Sequence, residues 1–355
     1  MRWVAGEALR DVCSGTAHAL RSALALALLV GSAVAADVAG ADAVLVRGAA
    51  FREAGAAVLT VEAPGAIDGA TCDALGELPG VRAAGALRQA PEALAPATLP
   101  RGPVAAYLAS PGAVALLRAD DSGSAGVLLA ADAATALGVG AGDPLTLGGV
   151  DTTVRGTYAW PDDGRRSGYG YAAVLPADRT EAYDACWVDA YPAPAGLPAL
   201  ARLAVLPDGD GFAAPVVVSQ LNTTQGTTFD GEEAYAGRVT RHAVWLSLAG
   251  GAVLGFAAVR TRRLELAAAR HVGVTAPAQH LLLALESLAW VLPAAVVVAA
   301  AASALIALGS GEDPAALVRV AAHVAAPGLT SALIGAQTAT ALTRETHLFR
   351  YFRER

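Results

Sequence analysis

Four apolar blocks, 22–36, 243–259, 281–308 and 320–342, interrupt this chain, and each reaches or approaches the length needed to cross a bilayer. A helix spanning the hydrocarbon core needs roughly 20 apolar residues. The last two blocks have that length. The first two acquire it with their flanks, the first by extending back through 17–20 if Arg21 snorkels. The residues between the first and second blocks are enough for a separate core. The expected fold class is therefore a membrane protein of four transmembrane α-helices, with an α+β extracytoplasmic domain inserted between spans 1 and 2. The chain is 55% apolar, above the usual range of soluble domains.

Charge sets the expected orientation. Arg2, Arg10 and Arg21 precede the first block, Arg260, Arg262, Arg263 and Arg270 follow the second, and Arg344, Arg350, Arg353 and Arg355 follow the fourth. These 11 arginines face five acids in the same segments, whereas 37–241 holds 24 acids and 13 arginines. The positive-inside rule then places both termini in the cytoplasm of a multi-pass cell-membrane protein. The expected divisions are an N-terminal elbow helix at 1–21, span 1 at 17–40 and an outer domain at 41–237. Span 2 follows at 239–260, a cytoplasmic coupling segment at 261–280 and span 3 at 281–308. A short outer loop at 309–319, span 4 at 320–342 and a cytoplasmic tail at 343–355 complete the chain. A cleaved signal peptide is the competing reading of the N-terminus, with Ala33-Val34-Ala35 as the cleavage site. Against it, the region before the apolar run is long and carries Glu7 and Asp11. In the elbow, Val4, Ala8, Val12 and Thr16 fall along one side of an expected amphipathic helix at the membrane surface. Trp245 needs only an aromatic-belt role, and Pro293 and Pro327 are expected to kink spans 3 and 4.

The outer segment alternates strand and helix signals. Strands are expected at 56–62, 81–87, 172–175 and 215–221, and helices at 67–78, capped by Asp68, and at 127–137. A hairpin is expected to join 144–148 to 150–158 around Gly148-Gly149. All six histidines lie outside this segment, which removes the commonest zinc ligand and general base from it. Asp208-Gly-Asp210-Gly lacks the remaining oxygens of a calcium loop, and Asp120-Asp121 and Asp162-Asp163 read as loop charges. No catalytic motif is found, so no enzyme activity, cofactor or metal is expected in this chain, and no nucleic acid. The chain has no lysine, and a P-loop needs one on the phosphates, so any ATP chemistry belongs to a partner. Arginine-only basicity with abundant alanine points to a GC-rich bacterial genome. Cys72 and Cys186 share the outer segment, while Cys13 falls in the cytoplasm. Two buried thiols are one reading of the outer pair; an oxidising compartment favours a disulfide.

The residues around span 2 carry a more specific pattern. Arg262 and Arg263 are followed by Glu265, then by Gly273 eight residues on, and by Glu286 thirteen residues after that glycine. This resembles the FtsX/MacB family of ABC transporter permeases, in which an arginine pair closing span 2, a glutamate, a glycine and an intramembrane glutamate recur at these spacings. The order of weaker matches in the outer segment is similar to the MacB-type periplasmic core domain. These are Leu78-Pro79-Gly80-Val81, then Ala134–Leu137, Gly142-Asp143 and Gly156. From Tyr158 to Gly237 little matches. The resemblance implies a permease subunit that pairs as a homodimer or with a related permease. A separate cytoplasmic ABC ATPase would bind ATP and drive export or mechanotransmission toward a lipophilic substrate or an extracytoplasmic protein. An FtsX-like regulator of a cell-wall hydrolase is one version of this. A membrane-anchored sensor or structural protein with no ATPase is the rival reading.

Under the resemblance, Arg262, Arg263, Glu265 and Gly273 form the ATPase-coupling segment. Arg262 and Glu265 are three residues apart and can pair locally on an exposed helix face. Reversing both charges is then expected to leave folding almost unchanged. Glu286 reads either as an interhelical or subunit contact or as a side chain snorkelling to the headgroups.

Overall fold

The computed structural model describes residues 2–121, 123, 125–207 and 215–353. Asp208 and Asp210 lie outside the described residues. The chain divides into two compact units, Met1–Arg47 with Gly231–Arg355 and Gly48–Asp230.

The first unit is helical. Helix α1 covers Arg2–Ser14 and α2 covers Ala19–Glu53. Among the described residues, four helices are long and apolar enough to cross a membrane: α2 and three in the C-terminal third of the chain. This makes the chain a multi-pass membrane protein, with the sheet domain described below lying between the first and second spans in sequence. The first expected helix is shorter than the reading of 1–21, because Gly15 turns the chain at φ +80° and His18 follows at φ +47°. By contrast α2 runs past residue 40 as far as Glu53, since the charges of Asp42, Arg47 and Arg52 sit on a helix that simply outlasts its apolar block.

The second unit is built on a ten-stranded mixed sheet. Its strands are β1 (Val58–Asp68), β2 (Val81–Gln89), β3 (Ala105–Ala109), β4 (Asp120–Asp121), β5 (Val127–Ala130), β6 (Pro144–Leu147), β7 (Val150–Tyr158), β8 (Ala172–Pro176), β9 (Ala182–Ala190) and β10 (Val217–Gln220). The order is β10-β1-β9-β2-β3-β8-β5-β7-β4, with β6 paired to β7. β3–β8 and β5–β7 are parallel, the remaining pairs antiparallel. Short helices connect them: α3 (Gly69–Ala74), α4 (Ala113–Leu116), α5 (Ala131–Leu137), α6 (Leu197–Ala201) and, beyond this unit, α7 (Gly231–Ala236).

Local chemistry accounts for several elements. Asp68 ends β1 and caps α3, accepting from the amides of Ala70 and Thr71. The Thr71 hydroxyl on that carboxylate holds Asp68 below the usual carboxylate range. Gly148 and Gly149 take φ +60° and +80°, the two positive values a two-residue type I′ hairpin demands. The expected helix 127–137 is corrected by the structure. Val127–Ala130 is a strand with all four residues buried, and the helix starts only at Ala131. A short, wholly apolar run has no period to separate strand from helix, and pairing on both edges decides it here.

β9 went unread for a related reason. It lies between β1 and β2 and is buried on both faces, so it lacks the alternation of a half-exposed strand. Ala185 and Trp187 point into one core with Leu87, Leu129 and Tyr158. Tyr183, Cys186 and Val188 point into the other with Ile67, Cys72 and Leu197. In that second core Cys72 of α3 is joined to Cys186 by a disulfide, Cα–Cα 5.8 Å. It closes a sequence separation of 114 residues. Cys72→Ala with Cys186→Ala should therefore lower the stability of the sheet domain by about 2–5 kcal/mol. Thermal unfolding of the oxidised protein, followed by near-UV dichroism, checks this; an unshifted midpoint would show that the bridge contributes nothing.

Polar side chains finish the C-terminus of α2. Arg118 donates to the carbonyl of Arg52 at 3.0 Å, Arg165 to that of Glu53 at 2.8 Å and Asn222 to that of Ala54 at 3.0 Å. Those are helix-end carbonyls, which have no partner inside the helix. Asp163 holds the guanidinium of Arg165 in place through bonds of 2.9 and 2.7 Å, and the same contact keeps Asp163 below the usual carboxylate range.

Candidate functional site

The site singled out by the sequence is the elbow after the second span. The span helix α8 (Ala243–Arg260) ends there, α9 (Arg263–His271) runs across, and α10 (Ala276–Leu308) leaves as the third span. α10 starts five residues before its apolar block, where Pro277 suits a first turn that needs no amide there. Gly273 makes the turn between α9 and α10 at φ +105°, a value at which a β-carbon is strained. The fourth span is α11 (Pro314–Leu342), and α12 (Leu348–Arg353) follows it. Helices α10 and α11 continue through Pro293 and Pro327.

Arg262 is the hub of this elbow. Its Nη1 donates to Glu286 Oε2 at 2.7 Å, its Nη2 to Asp11 Oδ2 at 3.2 Å and its Nε to Glu265 Oε2 at 3.1 Å. One guanidinium thus ties α1, the start of α9 and the third span together. The expectation of an exposed Arg262–Glu265 pair is corrected: the Arg262 side chain is only 11% exposed, against 67% for Glu265. Burial is the physical reason. Reversing both charges would put a carboxylate where Arg262 stands, against Asp11 and a Glu286 side chain that is 5% exposed. The double reversal should therefore prevent folding rather than leave it unchanged. Glu286 makes an interhelical contact and does not snorkel.

A second arginine fixes the inner face of α9. Arg270 donates to Gln279 and to the carbonyls of Thr343 at 2.8 Å and Thr340 at 3.4 Å. The last two groups lie at the C-terminal end of α11, where a cation is favoured by the helix dipole. Gln279 in turn donates to Leu266 O at 2.9 Å. Leu266 packs with Val259, Leu283, Ala336 and Ala339. Arg263 stands over the ring of the buried Tyr351 of α12, 5.2 Å to its centroid, with Arg260 at 5.4 Å.

The outer face is what remains. Glu265, Ala268 and Val272 are exposed at a spacing of three and four residues, Val272 by 83%. That is one helical face. Of the residues named from sequence, Arg262, Glu265 and Glu286 come together, Arg263 faces the tail, and Gly273 shapes the turn. Cys72 and Cys186 belong to the sheet domain. Asp11, Arg270, Gln279 and Tyr351 were missed. Only Asp11 carried a signal, being, with Glu7, one of two acids in an amino-terminal segment that bears three arginines. Among the described residues, no group of three or more His, Cys, Asp or Glu side chains could hold a metal ion.

No protein-family model matches the sequence, and no curated protein matches it. Among solved structures, the chain is similar to the crystal structure of the periplasmic region of MacB from Actinobacillus actinomycetemcomitans. The identity is 9% and the TM-score 0.35, over 48% of this chain and 91% of that one.

Proposed function

We propose that the chain is a permease subunit of the FtsX/MacB type, with both termini and the elbow in the cytoplasm and the sheet domain outside. A separate ABC ATPase would bind at the elbow, and two permease chains would pair, as a homodimer or with a related permease. The ATPase's closing motion would pass through the packed spans to the sheet domain, a rigid-body coupling of two sites. There it would act in export or on an extracytoplasmic partner. The observation that carries this reading is the elbow: a short cross-helix between two span-length helices, anchored inside by Arg262 and Arg270, with an outward face left over. The arginine, glutamate and glycine spacings of the sequence fall on that same element.

The outward face also says which residues a partner would touch. Docking would use Ala268 and Val272, with Glu265 at the edge, and would leave Arg262 in its buried cluster. Ala268→Arg and Val272→Asp change exposed positions only and should cost the fold less than about 0.5 kcal/mol. Each should reduce the Walker A ATPase captured with the protein from its native membranes by roughly tenfold, the effect of about 1.4 kcal/mol. If both variants capture the ATPase as the unaltered protein does, α9 is not the docking element.

A further inference from the structure

The latch at Arg262 carries more negative charge than it can match. Three carboxylates, of Asp11, Glu265 and Glu286, meet one guanidinium. The nearby arginines are turned elsewhere: Arg260 and Arg263 stand over Tyr351, and Arg10 pairs with Glu7 at 2.6 Å. Glu286 is 4% exposed, yet its Oε1 has no hydrogen-bond partner. Asp11 and Glu286 sit on the two terminal nitrogens of the same guanidinium, so their like charges are neighbours.

Asp11 belongs to α1, which packs against α10 and buries Val4 and Ala8. The joint behind it holds one non-glycine residue, His18, in the left-handed region. Gly15 has φ +80°, and His18, which has a β-carbon, is held at φ +47°. Strain of this kind is found where a chain switches or clamps. With both features on α1, we infer that this helix is a releasable strap. Its docking on the elbow is set by the overcharged latch, and it swings about the Gly15–His18 joint. In the docked state Asp11 lies on one guanidinium that also holds two other carboxyl groups. On release it returns to water, and Arg262 is left with the buried Glu286 and the exposed Glu265. This holds whether or not the elbow binds an ATPase.

An ordinary stabilising bridge and an overcharged latch predict opposite signs. Amide hydrogen exchange over 2–14, measured on the full chain in detergent, distinguishes them. Glu286→Gln keeps an acceptor for Arg262 and removes the charge facing Asp11. Asp11→Asn removes the charge from the strap itself, at a partly exposed position outside the span, and keeps an acceptor for Arg262. In both variants exchange over 2–14 should slow by about tenfold, the scale of one close like-charge contact. Glu7→Gln, at a surface pair, should leave it unchanged. Equal or faster exchange in Asp11→Asn would overturn the latch. So would equal or faster exchange in Glu286→Gln with its span amides still protected. If Glu286→Gln loses span protection, the Asp11→Asn result decides alone.

Discussion

Gly255→Val is expected to break the contact between the second and fourth spans. A β-carbon at Gly255 would lie 1.9 Å from the carbonyl oxygen of Ala332 and 2.7 Å from its carbon. The obstacle is backbone, so no side-chain rotation relieves it. The same holds one turn earlier, where a β-carbon at Gly251 would meet Gly328 O at 2.1 Å, and across the interface, where one at Gly335 would meet Ala252 O at 2.1 Å. Ser247 continues the row and donates to Val324 O at 3.0 Å. Ser247, Gly251 and Gly255 repeat every four residues, which places one small side chain per turn on a single face of α8. In lipid, burying apolar surface between helices gains little, so association rests on close packing and interhelical hydrogen bonds. Valine must push the two backbones apart and forfeit both. The cost should reach or exceed the upper end of the usual range for an overpacked core, about 3 kcal/mol. Gly31→Ala is the control, since its β-carbon would meet Val298 at an ordinary 3.8 Å. Melting in detergent followed by tryptophan fluorescence should show a large fall for Gly255→Val and almost none for Gly31→Ala. A Gly255→Val protein that melts with the unaltered one would mean that α8 and α11 do not pack this way.

The second large effect is expected at Arg238. Its Nε and Nη2 donate to the two oxygens of Asp37 at 2.8 and 3.2 Å, and its guanidinium lies 3.6 Å from the centroid of the Tyr235 ring. Asp37 sits on α2 and is 2% exposed. Arg238→Gln leaves that carboxylate buried without a countercharge, which typically costs about 3–5 kcal/mol. Replacing both partners tells a different story. Asp37→Leu with Arg238→Met removes the charges together and should recover most of the loss, because a buried pair contributes little beyond its apolar substitutes. The measurement is the non-additivity of the two single variants and the double variant in detergent melts. A double variant as unstable as the sum of the singles would assign the cost to lost packing instead.

Both effects fall on residues that carry little local mark of their importance. Arg238 is one of 13 arginines in an acidic segment, and the glycines of α8 lie inside an apolar block with nothing local to single them out. Their partners are distant: Asp37 lies 201 residues away from Arg238. The elbow divides in the same way. The Arg262–Glu265 pair was legible because three residues along a helix is a local spacing. Glu286 and Asp11, 24 and 251 residues from Arg262, had no local mark as its partners, and their arrival turned an exposed pair into a buried hub.

Features governed by the nearest few residues were settled by the chain itself. Among these are the apolar length of the spans and their order around one inserted domain. The Asp68 cap and the paired glycines at Gly148-Gly149 belong with them, since capping and φ > 0 turns need only neighbouring groups. Tertiary structure alone decided the rest. It made Val127–Ala130 a strand, placed β9 at the centre of its sheet, set α8 against α11, and gathered three carboxylates on Arg262. An apolar run buried on every side carries no period, and a charge carries no record of its distant partner. Such choices are made by which surfaces the folded chain brings together.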